Sequence, residues 1–122
     1  MTQEKKQLLL KDLSARLPYG TYVNHKNFPD TKFKVIAVFD NGRIGVTENE
    51  IPLTPTSINE CKPYLRPFSS MTREEGDELF QLMGNGCDSQ RVDFYNSHYL
   101  DYRGLIEKDL ALEAPEGIYK FE

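Results

Sequence analysis

The segment from residue 33 to residue 46 constrains the fold of this chain more than any other. Its apolar residues alternate along the chain: Phe33, Val35, Ala37, Phe39, Ile44 and Val46. Such alternation is typical of strands with one buried face, and the intervening Asn41-Gly42 favours a two-residue hairpin turn of type I′. The sequence therefore predicts a β-hairpin. Ile36 and Val38 make the second face apolar, which predicts a strand that is central or covered on both sides, by the first helix for example.

An amphipathic helix over residues 4–17 is predicted ahead of this hairpin. Its leucines recur at helical spacing: Leu9, Leu10, Leu13 and Leu17. Charged residues lie between them, among them Asp12 and Arg16, and predict a polar side opposite the leucines. Pro18 is expected to end the helix.

Further short strands are predicted after the hairpin. Ile51 and Leu53 indicate one that Pro52 would confine to a sheet edge. Residues 58–65 indicate another, interrupted near Pro63. Short strands at this spacing are typical of a small curled antiparallel sheet or an SH3-like barrel.

The chain becomes helical in character after Pro67. Thr72 and Glu75 form a capping box, which predicts a helix over 73–83 with an apolar stripe. The stripe consists of Leu79, Phe80, Leu82 and Met83. Asp88 or Ser89 is expected to cap a third helix, with Tyr95 and Tyr99 on one of its faces. A short helix or turn is expected over 105–112.

Together these signals predict an α+β fold with an N-terminal helix, a small antiparallel sheet or SH3-like barrel, and C-terminal helices packed on it. At 122 residues, the chain is expected to be one domain over 1–122, divided into a helix-plus-β subregion (1–66) and a mainly helical subregion (67–122). No apolar stretch approaches the length of a signal peptide core or a membrane span, so we expect a cytoplasmic protein that does not enter membranes.

Charge is distributed unevenly along the chain. Residues 1–47 carry a net charge of +4 and residues 48–122 carry −8. The basic half favours an acidic partner, whereas the acidic half repels nucleic acid. Nucleic acid is thus a possible partner but not the favoured one.

Motifs of catalysis and metal binding are missing from the sequence. It contains no glycine-rich phosphate loop, no GxSxG elbow, and no CxxC or HxxxH pair, so we predict no catalytic residue, cofactor or metal ligand. Cys61 or Cys87 could still meet His25 or His98 in the fold as a nucleophile and base. We expect both cysteines instead to be reduced, packed thiols.

Two segments combine aromatic rings with cations and are the predicted binding residues. Lys62, Tyr64 and Arg66 lie in a stretch that Pro63 and Pro67 hold extended. The alternative is that this stretch bridges sheet and helices with Tyr64 packed inward.

The second segment comprises Asp101, Tyr102 and Arg103, in a loop after the third helix. The alternative here is an aspartate-to-arginine pair that holds a helix corner. Aromatic residues and Arg dominate binding hot spots, which favours a docking role for both segments.

Three blocks of sequence carry a family resemblance: Leu17-Pro18-Tyr19-Gly20, Cys61 to Thr72, and Asp101 to Gly117. They resemble an uncharacterised family of small proteins from gut anaerobes and their phages and mobile elements. Similar sequences usually carry glycine at the position of Asp109, which argues against a left-handed helix stop there. The resemblance implies a mobile-element setting and an accessory role, such as modulating a host protein.

Three functional hypotheses follow. The first is a non-enzymatic protein-interaction module with a protein partner. The second is a nucleic-acid-binding accessory protein that uses Tyr22, Phe28 and Phe33 of the basic half. The third is a small cysteine-dependent hydrolase.

Overall fold

The computed structural model describes residues 2–39, 41–48, 51–115 and 117–119. The helices are α1 (Gln3–Arg16), α2 (Arg73–Asn85) and α3 (Asp88–Ser97). The strands are β1 (Tyr22–His25), β2 (Phe28–Val38), β3 (Arg43–Glu48), β4 (Ile51–Pro52), β5 (Thr56–Ser57), β6 (Cys61–Leu65) and β7 (Leu112–Glu113). An N-terminal helix, a sheet and two C-terminal helices confirm the predicted α+β class.

The strands form one sheet in the order β4-β3-β2-β1-β6-β7, and β5 also pairs with β3. All pairs are antiparallel except β6 with β7, so the sheet is mixed. A single 3₁₀ turn, Ile58–Glu60, connects β5 to β6 and returns the chain to β1. The order β5-β3-β2-β1-β6 is the connectivity of the SH3-like alternative. The short strands β4 and β7 lie outside this order, and β4 forms a sheet edge as predicted.

The predicted hairpin is present as β2 and β3, but its alternation breaks at Ile36. Val35 pairs with Val46 and Ala37 with Gly45, so Ile36 is the extra residue of a β-bulge. Beyond the bulge the faces exchange: Ile36 is half exposed, while Val38 packs against the core. Strand β2 lies between β3 and β1, so its predicted central position is confirmed, whereas a cover over Ile36 is not found among the described residues.

The hairpin turn also differs from the predicted two-residue type. The Phe39 amide donates to the Arg43 carbonyl at 2.9 Å, and the Gly42 amide donates to the Phe39 carbonyl at 3.3 Å. The chain thus reverses between Phe39 and Arg43, with Gly42 at φ 82° in the left-handed region. Position 40 lies outside the described residues.

The first helix occurs as predicted, but its polar side is buried too. Leu9 and Leu13 enter the main core. Asp12 and Arg16 are also fully buried and form an ion pair, with Arg16 Nε 2.9 Å from Asp12 Oδ2. Arg16 Nη2 donates to the Leu100 carbonyl at 2.6 Å, so the segment after α3 covers this side of α1. The expected solvent-facing side is therefore wrong for these two residues.

The C-terminal helices show one confirmed cap and one misplaced cap. The capping box is confirmed: Thr72 Oγ1 accepts from the Glu75 amide, and the Glu75 carboxylate accepts from the Thr72 amide. The cap of α3 is Cys87 rather than Asp88 or Ser89. Tyr99 lies beyond α3 with φ 59°, so it does not extend that helical face.

Strand β6 and Asp109 differ from expectation, whereas residues 105–111 do not. Strand β6 runs through Pro63 without interruption, and the 3₁₀ turn takes the place of its expected first residues. Residues 105–111 form turns and bends, which confirms the turn among the two predicted alternatives. Asp109 adopts the left-handed conformation, φ 59°, that its replacement of glycine argued against.

Buried apolar residues form two clusters. The main cluster joins α1 and the sheet to Leu105, Leu110 and Ala111, and so draws on both predicted subregions. The second consists of Leu79, Phe94 and Leu100. A single domain over 1–122 stays a prediction. Within the described residues, no helix has the length and apolar character needed to cross a membrane.

Candidate functional site

The first predicted binding segment lies on β6 and makes internal contacts. Lys62 Nζ is 2.7 Å from a carboxylate oxygen of Asp109. Arg66 donates to both carboxylate oxygens of Glu75, at 2.8 and 2.7 Å, and to the His98 carbonyl. These hydrogen bonds from Arg66 lower the pKa of Glu75 to about 2. Tyr64 is half-buried, and its carbonyl accepts from the Tyr119 hydroxyl.

The second predicted segment, Asp101 to Arg103, also holds the fold together. The Asp101 carboxylate accepts from the amides of Leu105 and Ile106, at 2.8 and 3.0 Å. Arg103 Nε lies 3.1 Å from Asp12, so the expected pair between Asp101 and Arg103 is replaced by two separate contacts.

Tyr102 belongs to the same internal network. Its ring stacks on Tyr95 with centroids 5.1 Å apart, and Arg103 lies over it at 4.6 Å. An isolated parallel β-bridge joins Arg66 to Leu100, the residue before Asp101, and so places the two segments side by side. Binding by the six predicted residues stays a prediction. Their charged groups make hydrogen bonds and ion pairs within the fold.

Sequence reasoning missed a pocket of about 220 Å³ in another part of the sheet. It lies between strands β1 to β3, the start of β6 and the segment 53–56. Its walls are mostly apolar and include Val23, Phe28, Phe33, Val46, Leu53 and Cys61. These residues come from four strands and the segment 53–56, so no local motif marks them.

The rim of this pocket exposes large apolar side chains. Phe28 is 57% exposed and Leu53 is 40% exposed. Ile51, in the adjoining edge strand β4, is exposed as well. Apolar rims around an apolar pocket are a feature of surfaces that become covered on binding.

His25 supplies the polar wall of the pocket. Its Nε2 lies 3.1 Å from both Thr56 Oγ1 and Glu60 Oε2. The Asn27 amide donates to Nδ1 at 3.1 Å, so the neutral ring carries its proton on Nε2 and directs it at these oxygens. The wall thus offers the Thr56 hydroxyl in a fixed position, and the Glu60 carboxylate holds His25 from outside the lining.

Cys61 and His25 are directly opposite each other in the β1–β6 pairing. The hydrolase hypothesis requires a thiolate here. Burial, with the nearby Glu60 carboxylate, raises the pKa of Cys61 to about 11, so the thiol is protonated at neutral pH. The expectation of a packed cysteine is confirmed for Cys61 and wrong for Cys87, which is exposed.

The contacts of Cys87 and His98 do not join them as a catalytic pair. Cys87 Sγ is 3.0 Å from Ser89 Oγ, and hydrogen bonds lower its pKa. His98 stacks on Phe94 at 4.2 Å. Across the described part of the chain, no three His, Cys, Asp or Glu side chains are grouped as metal ligands.

The aromatic residues of the nucleic-acid hypothesis do not share one surface. Phe28 and Phe33 line the pocket, and Phe33 is buried. Tyr22 instead stacks on Tyr119 at 5.5 Å, with Lys32 Nζ 4.5 Å from its ring centroid. The three rings therefore cannot act together as a stacking platform.

A larger cleft, of about 490 Å³, borders Arg66 and residues 113–115. Glu75 neutralises Arg66, which borders it, so the smaller apolar pocket is a stronger candidate site than this cleft.

No family model, curated protein or solved structure matches this chain. The functional assignment therefore depends on the geometry of the pocket.

Proposed function

We propose that this chain is a non-enzymatic protein-interaction module that accepts an apolar side chain of a partner protein in the pocket beside His25. The observation that carries the proposal is the exposure of Phe28 and Leu53 at the mouth of an apolar pocket. Binding hot spots consist of apolar or aromatic anchors that enter such desolvated pockets.

The size of the pocket favours a side chain over a free ligand. Pockets for drug-sized molecules span roughly 300 to 1,000 Å³, whereas this one measures about 220 Å³. One aromatic or aliphatic side chain fits that scale, and the exposed rim can cover the adjacent backbone of the partner. The Thr56 hydroxyl, which lines the pocket, can accept a hydrogen bond from that backbone.

A displayed library of linear peptides, selected against the full chain, tests this function. We expect the enriched peptides to share a large apolar residue and to lose about ten-fold or more in affinity for Phe28→Asp, or for Leu53→Asp as a second rim variant. The matched control is Phe39→Asp, because Phe39 is similarly exposed, at 41%, but does not line the pocket. Failure to enrich any peptide, or equal loss in the rim variants and Phe39→Asp, would refute the proposal.

The resemblance supports the setting that we propose for this module, a phage or mobile-element accessory that acts on a host protein. The test is capture from native-host lysate with the same variants and with nuclease treatment. The proposal expects a host protein that Phe39→Asp retains and Phe28→Asp loses, whether or not nuclease is added. Capture that nuclease abolishes would favour the nucleic-acid alternative.

A further inference from the structure

Helix α2 contributes few buried apolar side chains to the core. Of its 13 residues only Leu79 is buried. Phe80 is 75% exposed and Met83 is 60% exposed. They are three positions apart and so lie on one helical face. A surface helix usually turns its large apolar residues toward the core, so this face is apolar without a covering element among the described residues.

The same helix carries exposed negative charge. Its first two turns contain Glu74, Glu75, Asp77 and Glu78, against the single cation Arg73. Of these four acids, only Glu75 forms an ion pair with an arginine or lysine among the described residues, with Arg66 at 2.7 Å. Glu74, Asp77 and Glu78 are exposed. These carboxylates precede the apolar pair along the helix, and Asp77, three positions before Phe80, lies beside it on the same face.

We infer that α2 is a second docking surface, which inserts Phe80 and Met83 into an apolar groove rimmed by Lys or Arg on a protein partner. Helices that bind in this mode use anchors three or four residues apart. The charge selects the occupant, because the carboxylates attract a basic rim and repel nucleic acid and anionic lipid. This surface is separate from the pocket, since neither Phe80 nor Met83 lines it.

Site-specific photocrosslinking tests this inference with the full chain in cells of its native host. Benzoylphenylalanine replaces Phe80, or replaces Phe39 as a control at another exposed aromatic position. We expect the Phe80 probe to give an adduct with a host protein whose crosslinked segment carries apolar residues beside Lys or Arg. The control is expected to give about ten-fold less of that adduct.

Charge reversal supplies the second arm. Combining Glu74→Lys, Asp77→Lys and Glu78→Lys should reduce the adduct about ten-fold, whereas Glu107→Lys, an exposed acid outside α2, should leave it unchanged. The inference is overturned if the Phe80 probe gives no adduct, gives one equally from Phe39, or gives one that survives the triple reversal. A crosslink to a second copy of this chain alone also overturns it. Peptide binding in the pocket can succeed or fail independently of these results.

Discussion

The Tyr119 side chain replaces one rung of the β1–β6 ladder. In the antiparallel register, Val23 is opposite Pro63, so the next pair along the strands would be Tyr22 and Tyr64. Instead the Tyr119 hydroxyl accepts from the Tyr22 amide at 3.0 Å and donates to the Tyr64 carbonyl at 2.7 Å. Burial raises the pKa of this phenol well above its ordinary value, so it stays a hydrogen-bond donor at neutral and mildly alkaline pH.

Tyr119→Phe is expected to lower the free energy of unfolding by about 1–3 kcal/mol, because it removes both hydrogen bonds and leaves the Tyr22 amide without this acceptor. Urea denaturation at pH 7 measures the loss. Tyr64→Phe serves as the control, since the Tyr64 hydroxyl makes no hydrogen bond within the described residues. Equal losses in the two variants would contradict the bridging role of Tyr119.

The pair between Glu75 and Arg66 predicts a defined pH dependence of stability. The pKa of Glu75 is lowered from 4.5 to about 2 in the folded state. Its contribution, on the order of 3 kcal/mol, is therefore complete above pH 4.5 and is lost as the pH falls toward 2. The wild type should exceed Glu75→Gln in stability at pH 7, and the gap should narrow by pH 3. The control is Glu74→Gln in the same helical turn, which should change the free energy of unfolding little at either pH. A stability difference between wild type and Glu75→Gln that does not depend on pH would contradict the lowered pKa of Glu75.

The two cysteines should react at very different rates. Cys87 is exposed with a lowered pKa, whereas Cys61 is buried with its pKa raised to about 11. At pH 7.5 we expect iodoacetamide to label one thiol quickly, the second only after denaturation, and none quickly in Cys87→Ser. Rapid labelling of Cys61 in Cys87→Ser would instead revive the hydrolase hypothesis. Labelling of Cys87 alone carries no such meaning, because exposure accounts for it.

At the scale of secondary structure, a glycine within α2 and the glycine that caps its C-terminus should differ in how substitution by alanine affects stability. A Cβ added at Gly76 would meet no atom within 4 Å, whereas one at Gly86 would lie 2.7 Å from the Leu82 carbonyl oxygen. Gly76→Ala should therefore raise stability by about 0.5–1 kcal/mol through helix propensity. Gly86→Ala should lower it. Thermal unfolding compares the two, and the same sign for both changes would be evidence against the packing described at the end of α2.

The elements could be predicted where the signal is local. The capping box at Thr72 depends on residues three apart, and α1 and the hairpin show clear periodicity. The bulge at Ile36 could not be predicted, because it depends on how β2 pairs with β3. The burial of Asp12 and Arg16 depends on the Leu100 carbonyl, far along the chain. A periodic pattern records which residues share a face and not what covers each face.

The whole molecule combines an α1-and-sheet body with a smaller helical part. The main cluster holds the first together and draws in Leu105 and Leu110; the second cluster anchors α2 and α3. The aromatic and charged segments that stand out in the sequence lie where these parts meet, which explains why Arg66 and Arg103 are held in ion pairs. The candidate pocket could not be predicted, because its walls meet only after folding.

The central claim is that a partner side chain occupies the pocket beside His25. The most direct test measures intermolecular nuclear Overhauser effects between a selected peptide and the methyl groups of the chain. We predict contacts from the apolar anchor of the peptide to the methyl groups of Val23, Val46 and Leu53, which line the pocket. Contacts confined to other methyl groups, such as those of Ile36 or Leu82, would contradict it.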